Sequence, residues 1–302
     1  MKTSPYGSVI VALVTPFSED MSVDYGTARM LAVRLTAEGC DGVVVSGTTG
    51  ESPTLTVAER LRLLNEVKDA VGPDVRVWAG ASGYNTKESV ELTHLSEKAG
   101  ADGILAVTPY YNKPSQQGLY LHFRAMSEET ALPVMLYNVP GRTSVNMLPE
   151  TVLRLAEMKN IVAVKEASGN LDQASQILAS CPETFYVFSG DDSLTLPILS
   201  VGGSGIVSVA AHIVARALRS MVDSYREGDL DKAQEVHLRL YKLFKVLFIT
   251  TNPVPVKTAL ELCGTPVGGF RLPLCPPSER EKAHIARVLV ELGLIRDPEQ
   301  RS

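Results

Sequence analysis

The sequence predicts an α/β fold, a (β/α)8 barrel with a C-terminal helical extension, and three observations predict it. Eight short apolar, β-branched runs recur at roughly 20 to 35 residue spacing, each ending in small, polar, Gly or Pro residues. The runs lack polar alternation, as parallel strands covered on both faces do. Between them lie helical patterns, several closed by glycine and others opened by Thr or Asp. Eight strands alternating with helices is the count of a closed barrel. A doubly wound open sheet more often has six strands, and no GxGxxG follows the first run.

In chain order the strand runs are SVIVALVTPF at 8–17, GVVVSGTTG at 42–50, VRVWAGAS at 75–82 and GILAVTPYY at 103–111. They continue with PVMLYNVP at 133–140, IVAVKEAS at 161–168, FYVFSGDD at 185–192 and GIVSVAA at 205–211. The barrel is expected to occupy residues 1–225. Residues 226–302 read as a helical region, with patterns at 229–249, 254–264 and 278–295. The chain is 45% hydrophobic and 21% charged, ordinary for a globular protein able to bury a core without staples. A net charge of -5 gives no general nucleic-acid footprint. The four cysteines lack metal-ligand spacing and read as reduced thiols, and the histidines form no metal motif. The apolar run near the N-terminus is too short for a membrane span and reads as the first strand. A cytoplasmic protein is expected.

Chemistry concentrates at the strand ends, where barrel active sites lie. Lys165 ends the sixth strand, and period-2 alternation groups it with Ile161 and Ala163, opposite Val162, Val164 and Glu166. A lysine held among apolar groups loses its proton more readily and becomes an amine nucleophile toward a carbonyl. Alternatively, such a lysine could snorkel to solvent or pair with an acid. The second strand ends at Thr48 and Thr49, the fourth at Tyr110 and Tyr111, and the fifth at Tyr137 with Arg142 beyond it. Each has a structural reading too: a capped turn, rim aromatics, a packed tyrosine, a solvated arginine. GGSGIVS at 202–208 could be a phosphate turn or a tight barrel contact. Lys257 is a rival nucleophile outside the strand pattern.

Five motifs in register carry a resemblance: GTTGES at 47–52, YNKPSQQGLYLHF at 111–123, YNVPGRT at 137–143, VKEASG at 164–169 and SGDD at 189–192. They resemble those of the dihydrodipicolinate synthase and N-acetylneuraminate lyase family of pyruvate-dependent class I aldolases. The likeness covers the whole barrel and extends to NPVPVK and RLPL in the tail. It implies that Lys165 forms a Schiff base with pyruvate and that Tyr137 is the general acid/base. It further implies that Thr49 links Tyr137 to Tyr111, which reaches into a neighbouring subunit's site. Thr48, with the backbone of Thr49, would contact the pyruvate carboxylate. Arg142 would bind the carboxylate of aspartate semialdehyde, while Gly190 and Val207 would line the pocket.

The resemblance implies no cofactor beyond the covalent imine, no metal, and a homo-oligomer, usually a tetramer built as a dimer of dimers. Arg142 favours the synthase branch, which makes 4-hydroxy-tetrahydrodipicolinate for diaminopimelate and lysine. Alternatives are a hydroxy-oxo-acid, keto-deoxy-sugar-acid or N-acetylneuraminate type aldolase, or a non-catalytic protein that kept the fold. Ser52, Glu88 and Tyr110 match the effector cleft of lysine-inhibited relatives. Val57, Arg60 and Tyr84 depart from it, so lysine feedback is expected to be weak or absent.

Overall fold

A computed structural model describes residues 3–296, so residues 1–2 and 297–302 of the two expected segments lie outside it. Eight parallel strands close into a barrel in sequence order, with the eighth hydrogen-bonded back to the first. They are β1 Val9–Ala12, β2 Gly42–Val45, β3 Arg76–Gly80, β4 Gly103–Val107, β5 Val134–Asn138, β6 Ile161–Glu166, β7 Tyr186–Ser189 and β8 Gly205–Ser208. Each falls inside one of the eight apolar runs.

The connecting helices are α1 Tyr25–Ala37, α2 Val57–Val71, α3 Thr86–Lys98, α4 Gln116–Glu128, the single-turn α5 Pro140–Thr143, α6 Pro149–Ala156, α7 Leu171–Ser180, α8 Thr195–Ser200 and α9 Ala211–Glu227. Beyond the barrel come α10 Leu230–Val246, α11 Val254–Leu262 and α12 Glu279–Glu291. Local chemistry marks many of their ends. Asp24, Asn85, Ser115 and Asn170 accept from first-turn amides, and Thr56 and Ser278 complete capping boxes with Glu59 and Glu281.

Two apolar layers hold the barrel. Alternate strand residues such as Val43, Val77, Ile104, Leu136 and Val164 pack outward under the helices. Ile10, Val44, Trp78, Leu105, Met135 and Phe188 fill the interior. Trp78 needs Gly103 beside it, because a Cβ there would lie 2.5 Å from the indole. The expected facing of β6 is corrected at two residues, Ile161 and Val162. Val134 pairs with Ile161 but Met135 pairs with Ala163, so the ladder skips Val162. This bulge resets the alternation, sending Ile161 to the outer layer and Val162 to the inner one. Ala163 and Lys165 keep the inward face.

Candidate active site

Lys165 and Tyr137 are register partners on neighbouring strands, and both are buried. The Lys165 Nζ stands 4.3 Å from the centre of the Tyr137 ring. At 4% exposure the lysine cannot snorkel, and burial lowers its pKa to about 8, with Asp192 opposing the fall and Arg142 adding to it. Burial also raises the Tyr137 pKa, so the phenol keeps its proton and can act as an acid. Gly190 is part of the same packing: a Cβ there would lie 2.7 Å from that of Ala167 and 3.1 Å from Lys165 Cε. Its amide donates to the Glu166 carbonyl at 2.7 Å. Val207 is fully buried in the interior layer, opposite Ile10 across the β8–β1 ladder.

The next register pair along, Asn138 and Glu166, lies on the outer face and locks these two strands together. The buried Glu166 carboxylate accepts from Asn138 Nδ2 at 3.1 Å, Gln173 Nε2 at 3.0 Å and the Ser168 amide at 2.6 Å. A satisfied buried carboxylate of this kind fixes geometry, since any slip would strand its charge. Lys165 and Tyr137 are thereby held face to face.

Thr48 and Thr49 exchange the expected places. The hydroxyl that hydrogen-bonds Tyr137 is that of Thr48, not Thr49. The Thr49 Oγ1, nearly inaccessible, instead accepts from Asn252 Nδ2 at 2.9 Å. Thr48 lines the cavity, whereas Thr49 lies buried against the C-terminal region, where Asn252 reaches its hydroxyl. Thr48 and Arg142 line one cavity of about 840 Å³, together with Ser52, Arg60, Glu88 and Tyr110. Arg142, exposed on α5, donates through Nη2 to the Asn252 carbonyl at 3.2 Å. Tyr110 packs edge-on against Tyr84 at 5.2 Å in the cavity wall. Tyr111 points away, 89% exposed, with a left-handed backbone at φ 63°.

Lys257 is no rival. Its ammonium donates to Glu51 Oε1 at 3.0 Å, to the Thr15 carbonyl at 3.1 Å and to the Gly269 carbonyl, which commits all three N–H groups. Two residues carry more than the sequence pattern disclosed. Asp192, buried at the second acid of SGDD, accepts from Ser208 Oγ and from the Val209 and Ala210 amides at 3.1 Å, and it is the anion acting on Lys165. Asn252 opens NPVPVK, a motif noted for its match but given no role. Among the described residues, no group of three or more His, Cys, Asp or Glu is placed to hold a metal ion. No described helix is long and apolar enough to cross a membrane.

A closed α/β barrel with a desolvated amine and a protonated phenol at its rim defines a catalyst of the imine-forming lyase class. The chain belongs to the dihydrodipicolinate synthetase family, which it matches over residues 5–292. It is 52% identical over 293 residues to the 4-hydroxy-tetrahydrodipicolinate synthase of Desulforudis audaxviator, covering 97% of this chain and all of that one. A crystal structure of dihydrodipicolinate synthase from Cyanidioschyzon merolae with lysine bound superposes with TM-score 0.95. It is 47% identical and covers 97% of this chain and 100% of its own. A monomeric dihydrodipicolinate synthase variant superposes with TM-score 0.93 at 41% identity, covering 95% of this chain and 97% of its own.

Proposed function

We propose that this chain condenses pyruvate with L-aspartate 4-semialdehyde to form 4-hydroxy-tetrahydrodipicolinate, the activity named for its curated relatives. The observation that carries the reading is the Lys165 amine, buried beside Tyr137 and with its pKa brought down to about 8. The neutral amine attacks the ketone carbon of pyruvate, and loss of water leaves an iminium. That cation draws electrons from C3, so a C3 proton departs and an enamine forms. The enamine carbon bonds to the aldehyde carbon of the second substrate, whose oxygen takes a proton. The second substrate's own amine then adds to the iminium carbon, and Lys165 leaves as the ring closes. The iminium nitrogen is the electron sink throughout, so the chemistry needs no external cofactor.

Tyr137 donates and recovers protons near the imine, a contribution of roughly 10²- to 10⁴-fold in rate. Thr48, bonded to Tyr137, extends this relay toward the cavity. Thr49 offers its hydroxyl to the pyruvate carboxylate, and the planar guanidinium of Arg142 grips the carboxylate of the semialdehyde. Gly190 and Val207 complete the pocket wall. Tyr111 belongs to a shared site in a homo-oligomer, a tetramer of two tight dimers. An aromatic side chain held out in solvent on a left-handed backbone is costly for a lone chain and reasonable for one that inserts into a partner. The enzyme works in the cytoplasm, in diaminopimelate and lysine synthesis.

Borohydride reduction with pyruvate, followed by intact mass and peptide mapping, tests the nucleophile. The expected result is one adduct on Lys165, and its absence overturns the mechanism. A coupled assay with aspartate semialdehyde, glyoxylate and N-acetylmannosamine tests the acceptor. Dominant turnover with either of the last two rejects the assignment.

A further inference from the structure

We infer that Asn252, from the helical region outside the barrel, is the positioning residue for both carboxylate-binding groups, Thr49 and Arg142. The inference rests on the function proposed above. Asn252 is 4% exposed and lies at the approach to α11. Its side-chain Nδ2 donates to Thr49 Oγ1 at 2.9 Å, while its main-chain carbonyl accepts from Arg142 Nη2 at 3.2 Å. One residue therefore touches two groups that come from different barrel loops, and it belongs to neither.

The chemistry at Thr49 follows from the hydroxyl's capacity of one O–H and two lone pairs. With the Asn252 amide donating into the oxygen, the Thr49 proton is directed elsewhere, toward an acceptor such as a 2-oxo acid carboxylate. The same bond polarises the hydroxyl and strengthens it as a donor. At Arg142 the effect is preorganisation. An exposed arginine loses much rotamer freedom when it binds, and a carbonyl that already holds its fork reduces that loss.

Asn252 can do this because its helix is anchored to the same loop a second time. Lys257, on α11, forms a fully buried ion pair with Glu51, two residues beyond Thr49. The Arg271 amide also donates to Glu51, at 3.2 Å. The C-terminal region thus grips the loop after β2 at Thr49 and at Glu51, so the position of Asn252 is fixed relative to the site.

The test is two-substrate steady-state kinetics of wild type, Asn252→Ala, Asn252→Asp and Thr49→Val, and of the Thr49→Val, Asn252→Ala double variant. Thermal unfolding and borohydride trapping accompany each. The alanine variant is expected to raise KM for pyruvate up to roughly ten-fold, the upper end for loss of one neutral hydrogen bond, and kcat should change much less. It should still trap pyruvate on Lys165 at saturating concentration. Aspartate is isosteric but cannot donate when ionised, so it takes the Thr49 proton and opposes the substrate charge; its pyruvate KM should rise further. The double variant should match Thr49→Val in pyruvate KM, because Asn252 acts there through Thr49. A lowered Tm with wild-type KM for both substrates would mark Asn252 as merely structural and overturn the inference, as would full additivity in the double variant. A wild-type enzyme that traps no pyruvate overturns the underlying activity instead.

Discussion

The sharpest consequence of the site is the pH dependence of imine formation, and two variants should move it in opposite directions. With a pKa of about 8, roughly 10% of Lys165 is neutral at pH 7. A lysine at its ordinary 10.5 would be neutral about 0.03% of the time, so burial enriches the nucleophile roughly 300-fold. The rate of imine formation at subsaturating pyruvate should rise about ten-fold per pH unit below pH 8 and level off above it. Asp192 stabilises the ammonium, so Asp192→Asn should move the inflection to lower pH. Arg142 destabilises it, so Arg142→Gln should move the inflection to higher pH. Rapid quenching into borohydride with intact-mass readout measures the rate directly. An inflection near 10 in wild type, or shifts of the same sign in both variants, would refute the electrostatic account.

The same burial makes a stability prediction. The folded pKa lies below the unfolded one, so the ammonium destabilises the fold below about pH 8, a penalty relieved as pH rises toward 10.5. Lys165→Met should abolish activity yet gain about 3 kcal/mol at pH 7, roughly 5 °C in Tm, and scanning calorimetry should show the gain shrinking at pH 10. Glu51→Gln leaves the buried Lys257 charge without its counter-ion and should cost about 3–5 kcal/mol, or roughly 5–8 °C in Tm. Unchanged melting would show that the pair is dispensable. Gly190→Ala places a methyl group against Ala167 and Lys165, and kcat should fall at least about ten-fold with the fold kept by circular dichroism. In the cavity beside Ser52, Glu88 and Tyr110, the Arg60 guanidinium donates to the Ser52 carbonyl and presents a positive charge. Lysine should therefore inhibit weakly or not at all, and inhibition at submillimolar lysine would contradict this.

The barrel was legible because its signals are local. Unalternating apolar runs mean doubly covered parallel strands, and eight of them interleaved with helices leave few architectures. Lys165 was legible for the same reason, being a cation closing an apolar run at the end where βα loops begin. Pattern alone misjudged Ile161 and Val162, since a bulge shifts alternation without leaving a mark in composition. The family resemblance, carried over residue by residue, gave Thr49 the contact with Tyr137 that Thr48 makes, because in a tight turn the backbone dihedrals, not the residue types, decide which of two adjacent hydroxyls meets which partner.

The sequence by itself determined the strands, their order and the side chain that ends each one, all governed by interactions within a few residues. Only the tertiary structure decided which of those groups meet. Lys257 became an ion-pair anchor because Glu51 lies 206 residues earlier. Asp192 became the field acting on the amine, and Asn252 reached back 203 residues to Thr49. Such contacts depend on barrel closure and on where the last helices pack, and that is a property of the whole chain's burial rather than of any stretch within it.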